Sequence, residues 1–334
     1  MNDRTRVLVA VGTTVLLFLG VQLGALALID PFTESGRQAV EDPQNPTNSV
    51  LYFGVMLAAT GLMLAAFKYD LEWLIRLLIV GVSVMISWYV FAELVPALLA
   101  PLAGSGSVVD ALAIVAALAV GAALWVYPEW YVIDATGVVM GAGAAALFGI
   151  SFGLLPALLL LAVLAVYDAI SVYGTEHMLD LAEGVMDLKI PVVLVVPMTL
   201  SYSYLAAGST DDVLEDDRDG GTDDDTAADS DAHEGALDRD ALFIGLGDAV
   251  IPSILVASAA AFLEVGMLSV PLIALNWPAL GALVGTIAGL LVLMYMVLKG
   301  RPHAGLPLLN GGAIGGYLLG ALASGLSVAT ALGF

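Results

Sequence analysis

The chain has 334 residues, of which 60% are hydrophobic and only 13% are charged, and its formal net charge is −22 at pH 7. Soluble domains hold roughly 45–50% apolar and about 25% charged residues, so this composition excludes an ordinary soluble protein. The negative charge argues against a nucleic-acid partner, and the lack of cysteine excludes disulfides and thiol catalysis. With only three lysines, the carboxylate excess predicts a salt-loving organism in which charges are strongly screened.

Apolar runs of about 20 residues, long enough to cross a hydrocarbon core of about 30 Å, recur along the chain. They predict an all-α membrane protein with nine transmembrane helices. In chain order these cover Arg6 to Ile29, Ser49 to Phe67, Leu71 to about Leu94, Val108 to Val126, about Tyr131 to Ser151, Leu154 to Gly174, Leu242 to Ala261, about Pro278 to Leu298, and about Leu306 to Leu332.

Two apolar segments have other interpretations. The first span resembles a signal peptide with Ala25-Leu26-Ala27 as cleavage site, but its apolar stretch exceeds the usual 7–15 residues, which favours an anchor. Ile190 to Leu205 is short for a span and contains two prolines. We therefore interpret it as a re-entrant or interfacial piece.

The basic residues predict the orientation of the spans, because cytoplasmic loops carry an excess of Lys and Arg. A cytoplasmic N-terminus puts all but one of the ten basic residues inside or at inner span ends, and only Arg37 outside. We expect a multi-pass protein of the cell membrane. The inner residues are Arg4, Arg6, Lys68, Arg76, Lys189, Arg218, Arg239, Lys299 and Arg301.

One segment breaks the apolar pattern. Ser209 to Asp240 contains fourteen Asp or Glu residues, two Arg residues and almost nothing able to build a core, which is typical of a disordered, solvated segment. It predicts three parts: residues 1–205 with six spans, a disordered acidic cytoplasmic linker at 206–240, and residues 241–334 with three spans. A regulatory or metal-binding linker is the weaker alternative.

Two aspartates fall inside predicted spans, where ionisable side chains are rare and usually functional. Asp168 lies six residues before the end of the sixth span, and Asp248 lies six residues after Leu242. At a rise of 1.5 Å per residue both are expected about 9 Å below the same interface. Two carboxyl groups in one desolvated site cannot both ionise easily, which leaves an acid beside a base. The pair could therefore activate water against a peptide carbonyl.

Other chemistries find less support. The three histidines, at 177, 233 and 303, lie in loops or at span ends, and no His-Glu-x-x-His motif occurs. The sequence predicts no metal and no cofactor. Four acidic residues near span ends are expected to snorkel or meet water, and two of the asparagines are expected to form packing hydrogen bonds between helices. These are Glu93, Asp110, Asp134, Glu264, Asn276 and Asn310. Just past the sixth span, the polar cluster of Glu176, His177 and Asp180 indicates a solvated helix end. A gate is the alternative interpretation of this cluster.

Tyr167-Asp168 and, after the hydrophilic loop, Gly245-Leu246-Gly247-Asp248 together resemble the presenilin and signal-peptide-peptidase family of intramembrane aspartyl proteases. The resemblance covers nearly the whole chain and is greatest to microbial presenilin-like members. It implies that Asp168 and Asp248 are the catalytic pair, that substrates are single-pass transmembrane proteins or signal-peptide remnants in the bilayer, and that the enzyme is an endopeptidase. The sequence is compatible with a homo-oligomer.

The family's third motif, Pro-Ala-Leu before the ninth span, is absent at the corresponding position, where Ala304-Gly305-Leu306-Pro307 stands. Literal Pro-Ala-Leu occurs at 96–98, 156–158 and 278–280, but none of these opens the last span. Gly305 and Pro307 predict a non-helical segment from Ala304 to Leu308 whose backbone could pair with an unwound substrate. The substrate-binding candidates are Tyr167, Gly245, Leu246, Gly247, Gly305, Leu306 and Pro307.

Three other functions fit the aspartates less well. A cation- or proton-coupled transporter also uses paired intramembrane carboxylates, but it predicts inverted repeats that six plus three spans do not show. A prepilin-type peptidase shares Gly-x-Gly-Asp but differs in its first aspartate and its loop pattern. A scaffold with an inactive pair is disfavoured by the matched depth of the intact aspartates.

Overall fold

The computed structural model describes residues 3–69, 71–103, 106–174, 192–198, 202–203, 205, 241–299 and 304–333. The predicted acidic linker and the cluster of Glu176, His177 and Asp180 lie outside these ranges. In chain order the elements are α1 (Asp3–Glu34), α2 (Thr47–Lys68), α3 (Glu72–Ala103), α4 (Ser107–Val126), α5 (Trp130–Ser151), α6 (Leu154–Gly174), β1 (Val193–Pro197), β2 (Ala241–Gly245), α7 (Leu246–Phe262), α8 (Trp277–Val297), α9 (Gly305–Ala323) and α10 (Val328–Ala331).

The helices confirm the predicted fold class. Within the described ranges, α1 to α6, α8 and α9 are long and apolar enough to cross a membrane, and α7 is a shorter apolar helix of 17 residues. The predicted seventh span was wrong at its start, because residues 242–245 form a strand and the helix begins at Leu246. The ninth span was also too long, since α9 ends at Ala323 and a short separate helix, α10, follows.

Helix α5 is the centre of the bundle. About two thirds of its most apolar stretch is buried, against 6% for the peripheral helix α2. It packs against α1, α3, α7 and β1, and its many Gly and Ala residues allow these elements to come close. In α1, Ala25 and Leu26 are buried within one continuous helix that packs on α5.

The structure corrects the interpretation of Ile190 to Leu205 as a re-entrant or interfacial piece. Its described core, β1, is a strand that pairs antiparallel with β2, with Val193 opposite Gly245 and Pro197 opposite Ala241. Val and Leu dominate β1, while β2 contains Phe and Ile, and such residues favour a strand once a partner strand is present. The hairpin leads directly into α7.

Helices α8 and α9 are in backbone contact along three glycine positions. A Cβ added at Gly281, Gly285 or Gly289 would overlap the carbonyl oxygen of Gly316, Gly312 or Leu308, respectively. The glycines recur every four residues and therefore share one face of α8, which allows this approach. This contact sets the position of the first turn of α9, where the candidate site is built.

Candidate active site

Asp168 lies on the buried side of α6 and is only 8% exposed. Leu161 and Leu164, seven and four residues earlier, are buried on the same helical face. The carboxyl group therefore belongs to the stripe with which α6 packs into the bundle. It is not a span-end residue that can turn toward water.

The secondary structure that precedes Asp248 differs from the prediction. The strand β2 ends at Gly245, so Asp248 is the third residue of α7 and lies in its first turn. The estimate of six helical residues below the interface is therefore wrong for Asp248, because a strand rises more steeply than a helix. A carboxylate in a first turn is favoured by the partial positive charge of the helix N-terminus.

The first turn of α9 brings the two aspartates together. The backbone N–H of Leu306 donates a hydrogen bond of 3.0 Å to Asp168 Oδ2. A Cβ built on the neighbouring Gly305 would lie 3.1 Å from Asp248 Oδ2. The two carboxyl groups also interact electrostatically. One turn of backbone thus lies against both aspartates.

The expected non-helical segment from Ala304 to Leu308 is corrected. Only Ala304 is extended, and α9 begins at Gly305. Pro307 is compatible with this helix because it lies in the first turn, where its missing N–H has no acceptor within the helix. Ala304 has no side-chain oxygen to cap α9, so Asp168 caps Leu306 from another helix.

The other predicted site residues lie at different distances from the two aspartates. Gly245 and Gly247 are exposed beside Asp248. Leu246 is buried between them and packs against α5, where a Cβ at Gly141 would meet its Cδ1 at 3.3 Å. The ring of Tyr167 packs edge-on against Phe53 of α2, with ring centroids 5.9 Å apart.

Several polar residues outside the site behave as predicted. Glu93 is an exception, because α3 continues to Ala103 and Glu93 lies inside it, where it pairs with Arg37 at 2.8 Å instead of meeting water at a span end. Asn310 donates to the Leu161 carbonyl at 2.9 Å and so links α9 to α6. Asn276 caps α8 and donates to two carbonyls at the end of α7.

Sequence reasoning missed the contacts of α5 with the hairpin. Asp134 was expected to snorkel or meet water, but it is 5% exposed and accepts a hydrogen bond from the Val195 amide at 2.7 Å. Glu129 accepts one from the Ser203 hydroxyl at 2.6 Å. The β-branched run around Val195 was the signal that could have predicted the strand. Across the described ranges, no group of three or more His, Asp or Glu residues could hold a metal ion.

In the described part of the chain, eight helices are long and apolar enough to cross a membrane, and two carboxyl groups lie against one turn of backbone inside the bundle. The family model described as signal-peptide peptidase, presenilin aspartyl protease matches residues 15–326. The chain belongs to this family of intramembrane aspartyl proteases and is an aspartic endopeptidase of the multi-pass membrane class.

Two similar solved structures are each described as a presenilin family intramembrane aspartate protease. The first, in space group C222, is 32% identical with a TM-score of 0.61, and the match covers 94% of this chain and 99% of that one. The second, in space group P2, is 35% identical with a TM-score of 0.60, covering 92% and 96%. The search of curated proteins found no significant match.

Proposed function

We propose that Asp168 and Asp248 are the catalytic pair of this protease and that they hydrolyse peptide bonds within transmembrane helices. The observation that carries the proposal is their convergence on Gly305 and Leu306, one turn of α9. General acid/base chemistry needs an acid and a base within reach of one reacting group, and this arrangement supplies two carboxyl groups in a buried site.

The contacts support different roles for the two aspartates. Both aspartates lie beside a helix N-terminus, so that feature does not distinguish them. The Leu306 N–H donates to Asp168, and this hydrogen bond favours the ionised carboxylate there. Asp168 is therefore the base, and Asp248 is the acid. Asp168 takes a proton from water, whose oxygen bonds to the peptide carbonyl carbon while Asp248 protonates the carbonyl oxygen. When the C–N bond breaks, the leaving nitrogen takes the proton from Asp168, and Asp248 recovers its proton from a hydroxyl of the intermediate.

The substrate is a single-pass transmembrane segment or a signal-peptide remnant, locally unwound so that its carbonyl is accessible. The exposed Gly245 and Gly247 leave open space beside Asp248, and a side chain at either position would narrow it. Gly305, Leu306 and Pro307 form the opposite wall of the site. Tyr167 and Leu246 border the site through packing with α2 and α5.

The division of the chain supports a site built between two parts. Residues 1–205 supply Asp168 and residues 241–334 supply Asp248, while the antiparallel pairing of β1 with β2 joins the parts at the site. The basic residues Arg6, Lys68, Arg76 and Lys299 lie at helix ends on the hairpin side. The site therefore opens to the cytoplasm of the cell membrane, with the N-terminus inside. Membership of a protease family does not favour the transporter alternative.

The decisive experiment compares the purified protein with Asp168→Asn and Asp248→Asn on a peptide containing one transmembrane helix. Each variant should lose cleavage by at least about 10²–10⁴-fold, because an amide cannot act as a general acid or base. Asp110→Asn, in the exposed first turn of α4, is the matched control and should cleave normally. Substantial cleavage by either site variant, with product masses unchanged, would refute the assignment.

A further inference from the structure

The N-terminal part of α5 carries a buried carboxyl group that the proposed chemistry does not use. Asp134 is 5% exposed, and its Oδ1 accepts the Val195 N–H of β1 at 2.7 Å. A carboxyl group in such a place is costly unless it is hydrogen-bonded. Its observed partner is the backbone of the hairpin that leads to Asp248.

The register of the hairpin shows which edge of β1 this bond occupies. Leu246 donates its N–H to the Val192 carbonyl, so this pair is hydrogen-bonded across the ladder. Bonded and non-bonded pairs alternate in an antiparallel ladder, which makes Val195 and Phe243 a non-bonded pair. The Val195 N–H therefore points away from β2, and Asp134 receives it on the far edge of β1.

The same face of α5 also receives the side chains of the hairpin. Gly137 and Gly141 follow Asp134 by three and seven residues and so lie on one helical face with it. A Cβ at Gly137 would lie 2.9 Å from Leu194 Cδ2 and 3.7 Å from Leu246 Cδ1. Leu246 is only two residues before Asp248. The face thus contacts both the first strand and the start of α7.

A second contact holds the chain beyond β1. Glu129, the residue before α5, accepts a hydrogen bond from the Ser203 hydroxyl at 2.6 Å. Val195 and Ser203 are therefore each bonded to a residue at the N-terminal end of α5. A rigid helix, not only the partner strand, determines where the hairpin lies.

We propose that Asp134 is a positioning residue of the protease: through the Val195 amide it holds β1 on α5, and through the β1–β2 ladder it sets the position of Gly245 to Asp248. The inference rests on the proposed function, since it assigns Asp134 to the same site. What it requires of Asp134 is a hydrogen-bond acceptor, because the partner is a neutral amide. The residue does not contact the reacting groups.

Asp134→Asn and Asp134→Leu test this requirement. The Asn side chain keeps an acceptor oxygen, so its KM, kcat per active site and cleavage positions should stay within about threefold of wild type. Leu has a similar size and no acceptor. Its kcat/KM should fall at least about tenfold, and the proportions of products cut at neighbouring bonds should change. Active sites are counted by titration with a tight-binding transition-state analogue, and products are measured by mass spectrometry.

Ser151→Ala is the matched control, because Ser151 accepts a long-range backbone N–H, that of Ala39, at the other end of α5. It should lower the melting temperature without changing KM or cleavage positions. If Asp134→Leu does not fold, Val195→Pro removes the donor of the same bond while sparing the ladder, and it should reproduce the change in products.

Two results would overturn the inference. One is wild-type KM and cleavage positions in a folded Asp134→Leu or Val195→Pro variant. The other is an Asp134→Asn variant as defective as the Leu variant. The proposed function is tested separately in the same assay, since it fails only if Asp168→Asn or Asp248→Asn still cleaves.

Discussion

Asp168 caps helix α9 by accepting the backbone N–H of Leu306 at 3.0 Å, although 138 positions separate the two residues. First-turn amides of a helix have no acceptor within the helix, and they are usually capped by a Ser, Thr, Asp or Asn that precedes it. Ala304 precedes α9 and cannot do this. The proposed catalytic base therefore also holds the helix that borders the substrate, so chemistry and local structure share one carboxyl group.

Gly305→Ala should separate activity from stability. Alanine favours a helix over glycine by roughly 0.5–1 kcal/mol, so the melting temperature should stay level or rise. The new Cβ would lie 3.1 Å from Asp248 Oδ2 and 3.5 Å from its Cγ, which forces the carboxyl group to move. A misplacement of about 1 Å can cost about 10²-fold in rate, and the required shift is a few tenths of an ångström, so we expect kcat to fall by up to about tenfold.

The control for this change is Gly311→Ala on the same helix. A Cβ at Gly311 meets nothing within 4 Å, so this variant should gain helix stability and keep full activity. If Gly305→Ala is as active as Gly311→Ala, the contact between Gly305 and Asp248 has no catalytic importance.

Gly285→Ala should weaken the packing of α8 against α9. The added Cβ would overlap the carbonyl group of Gly312, and both partners are backbone, so the helices must separate. Overpacking of this kind costs about 1–3 kcal/mol. We expect a lower melting temperature in detergent and a loss of cleavage, because the first turn of α9 moves with the helix. Gly315→Ala, which has open space around it, should show neither effect.

Gly247→Cys tests whether water reaches the site. Gly247 is exposed next to Asp248, and a Cβ there would meet only Ile251 Cδ1 at 3.9 Å. The chain has no native cysteine, so a charged, membrane-impermeant thiol reagent reports this position alone. We expect rapid labelling that slows when a transition-state analogue occupies the pair of aspartates.

Gly61→Cys is the comparison for the labelling experiment. Gly61 is also exposed and uncrowded, but it lies within the span α2, where the surroundings are lipid. It should stay unlabelled. Equal, negligible labelling at both positions would mean that Gly247 does not face water.

Replacing residues 210–239 by a short Gly/Ser loop should leave an active enzyme. This segment has the composition of a chain that cannot build a core. The hairpin needs little chain to close, since Pro197 lies opposite Ala241 in the ladder. Cleavage within about threefold of wild type is expected. A folded but inactive replacement would show that the acidic segment takes part in the reaction or gates it.

The sequence alone determined the membrane class, the position of most spans and the two aspartates of the candidate site. In lipid, a helix is the main structure in which a long apolar run can make all its backbone hydrogen bonds. The predicted and observed bounds of α2, α4, α5 and α6 therefore agree within two residues. An aspartate in such a run is conspicuous because its burial is costly, which singled out Asp168 and Asp248.

Only the tertiary structure decided how the site is assembled. An apolar stretch such as residues 242–245 fits a helix or a strand equally well, and the pairing with β1, distant in sequence, made it a strand. The tertiary structure also decided two hydrogen bonds between distant residues, from the Val195 N–H to Asp134 and from the Leu306 N–H to Asp168. Sequence periodicity tells which face of an element is buried, but the partner of each buried polar group depends on contacts between residues far apart in the chain.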